Sequence, residues 1–188
     1  MKHNNKTSEI IFEATLRLLS NNKSGNELTV RDIASEAEVN IALINYYYQS
    51  KDNLLQMAVQ HKMSNLINNI YMDSLKESHP CDQLKKLLIS TADLGFDNYE
   101  INRIAVEGEL RNGCINSCNM IIPLLEIIFD DKDKEMSKIH ALQLMVPFHN
   151  IMLYPITYNN YLNTDFFDYD KRVITISKIV DSFLKGVC

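Results

Sequence analysis

Apolar residues recur three and four positions apart along almost the whole of this chain. Nowhere does a polar–apolar alternation persist long enough to support a sheet. With only five Gly and four Pro in 188 residues, little in the composition interrupts helices. The expected fold class is therefore all-α. An apolar share of 46% and a charged share of 23% are ordinary for a globular chain and exclude a disordered one.

The periodicity predicts a first helix from Lys6 to Asn22, with Ile10, Ala14 and Leu18 as its stripe, Ile11 and Leu19 beside them, and Thr7 or Ser8 as its cap. The stretch "NNKSGNE" (residues 21–27) reads as a loop. Thr29 followed by Asp32 is a capping-box-like start for a short helix ending near Glu36 or Ala37. A second short helix should run from Asn40, as its cap, to about Tyr47, and a long one should start at Ser50 and reach the low seventies. Pro80 is expected to close this region. Further helices are expected near 82–95, 98–111, 115–129, 135–158 and 168–186, with breaks at Gly113 and over Asp130 to Glu135. Pro123, Pro147 and Pro155 fall inside apolar patterns, where each should kink or end a helix.

Two short helices joined by a tight turn and supported by a preceding helix make a helix-turn-helix, whose second helix enters a DNA major groove. In that second helix Val39 and Ile44 are the natural core contacts, which leaves Asn40, Ile41, Ala42, Asn45 and Tyr46 on or near the outward face. Asn can pair bidentately with adenine, and Ile or Ala can contact a thymine methyl. The consecutive Tyr46, Tyr47 and Tyr48 point about 100° apart on a helix, so at least one must face outward. Residues 1–62 hold as many acidic as basic residues, and the net charge of −5 lies in 63–188. DNA contact would then rest on a few placed groups rather than on a strong positive field.

The stretch Leu28 to Leu55, with "LTVRDIA", an A-x-V step and then "INYYYQSKDNLL", resembles the DNA-binding domain of TetR-type transcriptional repressors. The resemblance extends over roughly 45 residues, from the first helix to the early fourth. It implies that Tyr46 and Tyr47 reach the sugar-phosphate backbone or base edges, and that Tyr48 packs into the small core with its hydroxyl partnered at the edge. It also implies that Lys51 touches phosphate, that Thr29 is a phosphate-contacting cap, and that Arg31 reaches a base. Two positions depart from the family's pattern. Glu38 stands where Gly is common in the turn, and Asn45 where Tyr is usual.

The same resemblance implies a DNA-binding domain over 1–51 and a helical ligand-binding and dimerisation bundle over 52–188. The last two helices, Met136 to Tyr158 and Tyr169 to Gly186, would pair with those of a second copy. The expected partners are a palindromic double-stranded DNA operator and an unknown small-molecule effector. Phe96, Tyr99, Met120, Phe148, Met152 and Tyr154 are the candidate pocket lining, although aromatic and Met residues at helical spacing also serve as plain core. Glu107 and Glu109 have the chemistry to meet a cation, but solvated or salt-bridged carboxylates are the ordinary reading.

Enzyme chemistry has no motif here: no paired Glu-x-x-His, no phosphate-cradling glycine loop, and no obvious partner for His140 or His149. No cofactor is expected. The four cysteines do not form a secreted-type disulfide framework; Cys114 and Cys118 have a metal-ligand spacing without a completing pair, so they read as buried reduced thiols and no metal is expected. No apolar run is long enough for a transmembrane helix and no signal-peptide core is present, so no membrane contact and a cytoplasmic location are the expectation. The rival reading is a helical small-molecule or protein-binding module without DNA binding.

Overall fold

The computed structural model describes residues 2–20, 28–130 and 133–188, the first four of these by backbone only. The expected loop at 21–27 and residues 131–132 of the acidic break lie outside it. Among the described residues all regular structure is helical: α1 (Lys2–Ser20), α2 (Val30–Glu36), α3 (Ile41–Tyr48), α4 (Lys51–Ser74), α5 (Pro80–Asp97), α6 (Tyr99–Arg111), α7 (Ile115–Phe129), α8 (Lys134–Leu153), α9 (Pro155–Leu162) and α10 (Tyr169–Phe183). The chain divides into two compact units, Met1–Asn65 with Glu100–Ala105, and Leu66–Tyr99 with Val106–Cys188.

In the first unit α1 packs on α2 and α3, and α2 on α3. The buried stripe of α1 is Ile11, Ala14, Thr15 and Leu19, while Ile10 is exposed. The stripe is therefore rotated by one position from the Ile10-centred expectation. Thr15 is admitted to it because its hydroxyl donates to the Ile11 carbonyl at 2.8 Å. Thr7 and Ser8 do not cap this helix, because it begins at Lys2. At its other end Lys62 Nζ donates to the Leu19 carbonyl at 3.3 Å, supplying one of the last carbonyls with a cationic donor. Ile33, Ala34, Ala37, Ile44, Tyr48, Leu54 and Leu55 complete the core, and Val39 is half-buried.

The second unit is built on α5, α7, α8 and α10. Helix α8 packs on α7, and α5 packs on α7, α8 and α10. Leu84, Leu87, Leu88 and Phe96 meet Ile121, Leu124, Leu125, Leu144, Phe148, Ile176 and Val180 in one core. Pro80 opens α5 at its first helical position instead of closing the preceding region. That position requires no backbone N–H, and the φ of proline suits it. Of the three internal prolines only Pro155 ends a helix, so that the expected 135–158 helix is two, α8 and α9, meeting at Tyr154. Pro123 and Pro147 lie within α7 and α8.

Cys114 and Cys118 are the buried thiols expected of them, whereas the other two cysteines are paired. Cys81 and Cys188 form a disulfide across 107 residues, while Cys114 and Cys118 are free and buried. Burial raises the Cys114 thiol to about 11, with the charges of Cys118 and Glu109 adding to the shift, so it stays protonated at neutral pH. Cys114, with φ +58°, gives α7 no side-chain cap. Glu109 of α6 supplies one instead, its carboxylate accepting from the Ser117 backbone amide at 3.3 Å, the Ser117 hydroxyl at 3.2 Å and the Asn116 side-chain Nδ2 at 2.8 Å. Its chemistry is thus helix capping, consistent with a carboxylate at a positive dipole end.

Candidate functional site

Helix α2 is short, and its start is held by a reciprocal cap. The Thr29 hydroxyl accepts from the Asp32 amide at 3.1 Å and donates to Asp32 Oδ2 at 2.7 Å, while the Thr29 amide donates to the same oxygen at 2.9 Å. Such a cap stabilises a helix by about 1 kcal/mol, which matters in an element of two turns. Arg17 of α1 pairs with Glu36 at the other end of α2 at 2.9 Å, both side chains being exposed. Arg31, on the first turn, is exposed.

The turn between α2 and α3 passes through Glu38 at φ +54°. The expected departure from glycine is thus a real left-handed residue, at a cost of about 1 kcal/mol. Asn40 then caps α3, its Oδ1 accepting from the Ala42 amide at 2.9 Å. That bond engages the Asn40 side-chain carbonyl and leaves the amino group of this exposed residue able to donate.

Helix α3 has two faces. Ile44 and Tyr48 are buried, whereas Ile41, Ala42, Asn45 and Tyr46 are exposed together. Tyr46 is 67% exposed, against 39% for Ile41. Tyr47, half-buried, meets the Tyr46 ring edge to face, with centroids 4.9 Å apart, so the two rings order each other before any partner arrives. Tyr48 does the third job: its ring is in the core and its hydroxyl donates to the Ser8 carbonyl at 2.7 Å. Three adjacent tyrosines thus take three environments.

Lys51, at the start of α4, donates from Nζ to the Leu28 carbonyl at 3.0 Å. An ammonium has three donors, so one bond to Leu28 fixes its position without consuming its charge. Next to it Ser50 Oγ accepts from the Asn53 amide at 3.1 Å, and Asn53 Nδ2 donates to the Tyr48 carbonyl at 3.0 Å, closing the end of α3. One exposed helix face, the α2 and α4 starts and two cations therefore lie on a single small module. What such an arrangement can do chemically is read base edges and hold phosphate.

Of the candidate lining residues of the second unit, Phe96, Phe148 and Met152 lie in its one core and Tyr99 packs against it. Phe96 and Tyr99 stack with centroids 6.1 Å apart, in a cluster with Phe166, Phe167 and the Arg172 guanidinium. Phe148 and Met152 are buried on α8, Met120 is half-buried on α7, and Tyr154 is exposed at the α8–α9 break. Two buried polar residues here escape sequence reasoning. Arg172 donates to Asp93 at 2.8 Å and to the Phe166 carbonyl at 2.8 Å. The only sequence signal for it is one arginine within the apolar stripe of α10. His149 donates from Nδ1 to the Met145 carbonyl at 2.8 Å, and burial holds its pKa below the usual histidine range.

Residues 11–58 match the family model described as bacterial regulatory proteins, tetR family. No curated protein matches the sequence. Among solved structures, the TetR family repressor AlkX from Dietzia sp. strain DQ12-45-1b is similar at a TM-score of 0.62 and 12% identity, covering 95% of each chain. The regulator FadR from Bacillus subtilis, in complex with stearoyl-CoA, is similar at 0.60 and 14%, covering 96% of this chain and all of the other. NalD, the secondary repressor of the MexAB-OprM efflux pump in Pseudomonas aeruginosa, is similar at 0.51 and 16%, covering 98% of each. Residues 11–58, which hold α2, α3 and the exposed face of α3, thus match the tetR family of bacterial regulatory proteins, and these solved structures share their fold with this chain along nearly its whole length.

Proposed function

We propose that the protein is a ligand-responsive repressor that binds a palindromic operator as a homodimer. The observation that carries this reading is the exposed face of α3, where Ile41, Ala42, Asn45 and Tyr46 stand together on a helix fixed by Asn40, Ile44 and Tyr48. Asn45 and the Asn40 amino group read base edges, and Ile41 and Ala42 contact thymine methyls. Tyr46, Tyr47, Thr29 and Lys51 hold the backbone, and Arg31 reaches a base from α2. Residues 1–51 carry these contacts, and 52–188 carry effector binding and dimerisation.

The apolar faces left open on α8 and α10, with Met136, Ile139, Leu142, Tyr169 and Ile174 exposed, support pairing with a second copy. A two-fold dimer reads half-sites one or more helical turns apart. The effector is an apolar small molecule received by the second unit, with Phe96, Tyr99, Met120, Phe148, Met152 and Tyr154 as its lining. FadR is described with stearoyl-CoA, which supports an effector with an apolar chain. It acts by binding one dimer geometry more tightly than the other, since a ligand with equal affinity for both shifts nothing. The protein works without catalysis, and a cytoplasmic location fits the absence, among the described residues, of any single helix able to cross a membrane.

The test is selection from random duplex DNA by the purified protein, beside a Tyr46→Ala/Lys51→Ala variant. An enriched palindrome that the variant loses is the expected result. Failure of the folded, dimeric wild type to enrich any sequence would overturn the DNA-reading assignment.

A further inference from the structure

Within the second unit, three side chains able to ligate a metal meet at the start of α5. His79 is the N-cap of that helix, Cys81 is buried on its first turn, and Cys188 is exposed, following α10. One ligand atom from each lies within 4.8 Å of the other two. The Cys81 and Cys188 Cα atoms are 6.5 Å apart, and the sulfurs are joined as a disulfide. That Cα separation also suits two thiolates on one tetrahedral ion, whose sulfurs sit roughly 3.8 Å apart when each metal–sulfur bond is about 2.3 Å.

The three residues are held in place by more than the disulfide. The Gln83 amide donates to the His79 carbonyl at 3.0 Å, and the Cys81 amide donates to His79 Nδ1 at 3.3 Å, which keeps that nitrogen unprotonated. The Cys188 amide donates to the Leu184 carbonyl at 3.3 Å, while Lys85 of α5 pairs with Asp181 of α10 at 2.6 Å. Helices α5 and α10 therefore keep the two sulfurs adjacent when the bond between them opens. Cys81 on the first turn of an 18-residue helix also sits where the backbone dipole favours a thiolate.

We infer that His79, Cys81 and Cys188 form a site for a thiophilic divalent ion, Zn²⁺, that opens when the Cys81–Cys188 disulfide is reduced. The step balances with a dithiol as reductant. The Sγ–Sγ bond breaks, each sulfur takes one hydrogen, and the dithiol closes its own disulfide. Binding of Zn²⁺ then releases both thiol protons and takes over the His79 Nδ1 lone pair from the Cys81 amide, giving two thiolates and one imidazole as ligands. Three protein ligands leave a fourth position for water. Oxidation of the pair closes the site. Sequence spacing concealed it, because Cys188 is 107 residues from Cys81 and the nearer Cys114–Cys118 pair attracts the eye.

The test uses the full chain and does not depend on DNA binding. Protein reduced with a phosphine and freed of it is titrated with Co²⁺ as spectroscopic probe, then with Zn²⁺ against a chromophoric chelator. Reduced wild type and a Cys114→Ser/Cys118→Ser variant should each bind one ion, with thiolate-to-cobalt charge-transfer absorption. The oxidised protein should bind none. Cys188→Ser should weaken Zn²⁺ binding at least about 100-fold, and His79→Asn, which keeps a capping oxygen, at least about 10-fold. Absence of binding by the reduced wild type overturns the site. So does binding that survives Cys188→Ser, or that disappears in the Cys114→Ser/Cys118→Ser variant.

Discussion

Lys51 Nζ donates to the Leu28 carbonyl oxygen at 3.0 Å, tying the start of α4 to the residue just before the α2 cap. The bond gives one side chain two separable jobs. It joins the two ends of the helix-turn-helix, and it holds a positive charge beside the Thr29 cap, where helix amides and an ammonium together suit a phosphate oxygen.

Replacing Lys51 with Ala is therefore expected to cost about 1 kcal/mol of stability, for one partly exposed charge-assisted bond. It should also weaken operator and non-operator DNA by similar factors, and lower the slope of log affinity against log salt by about 1 per subunit. Fluorescence anisotropy at three or more salt concentrations reads both effects. A loss confined to the operator sequence would show that Lys51 is not a phosphate contact.

Asn45 should behave differently. It is exposed on α3 beside Tyr46 and is not required by the core. Asn45→Ala is expected to leave stability within about 0.5 kcal/mol and to lower discrimination at one base pair per half-site by about 1–3 kcal/mol. Binding to a panel of duplexes varied one position at a time checks this. Unchanged preference at every position counts against base reading by Asn45.

The turn residue Glu38 holds φ +54° and carries an exposed negative charge just before the helix assigned to DNA. Glu38→Gly removes the left-handed penalty of about 1 kcal/mol, and the greater freedom of glycine in the unfolded chain offsets part of that gain. The net expectation is a small stabilisation, about 0.5 kcal/mol in urea unfolding. Removing the charge should tighten DNA binding, most clearly at low salt. Glu38→Gln keeps the strain and removes the charge, so it should reproduce the affinity gain without the stability gain.

His149 sets an acid limit on the second unit. Burial holds its pKa below the reference 6.5, against the opposing pull of the Met145 carbonyl and the Glu109 charge. A depressed folded pKa means that the unfolded chain binds the proton first. Its contribution to stability is present above pH 6.5 and is lost as pH falls through that value toward the folded pKa. A single group can contribute a slope of at most about 1.4 kcal/mol per pH unit. Unfolding midpoints at pH 7.5, 6.5 and 5.5 should fall for the wild type and fall less for His149→Gln. Parallel profiles would remove His149 as the cause.

Much of the DNA-facing module was legible from residue order, for reasons of range. Thr29 with Asp32, Asn40 with Ala42, and Ser50 with Asn53 are contacts over two or three residues, and such caps are decided by local backbone geometry. Helical rotation required at least one of Tyr46, Tyr47 and Tyr48 to face outward, and the resemblance said which. The family resemblance added roles for Thr29, Arg31 and Lys51 that no periodicity contains.

The sequence by itself determined the all-helical class, the short helix pair and its caps, because those depend on spacing and on neighbours within one turn. Tertiary structure decided everything that couples distant segments. It turned the α1 stripe from Ile10 to Ile11, placed Ser8 under the Tyr48 hydroxyl, and made Glu109 the cap of α7. It also set Arg172 against Asp93 across 79 residues and brought Cys81 to Cys188 across 107. A helix pattern repeats every 3.6 residues, so neighbouring rotations look nearly alike until a partner surface selects one. Pairings across tens of residues depend on how whole helices pack, and that information is spread over the entire core.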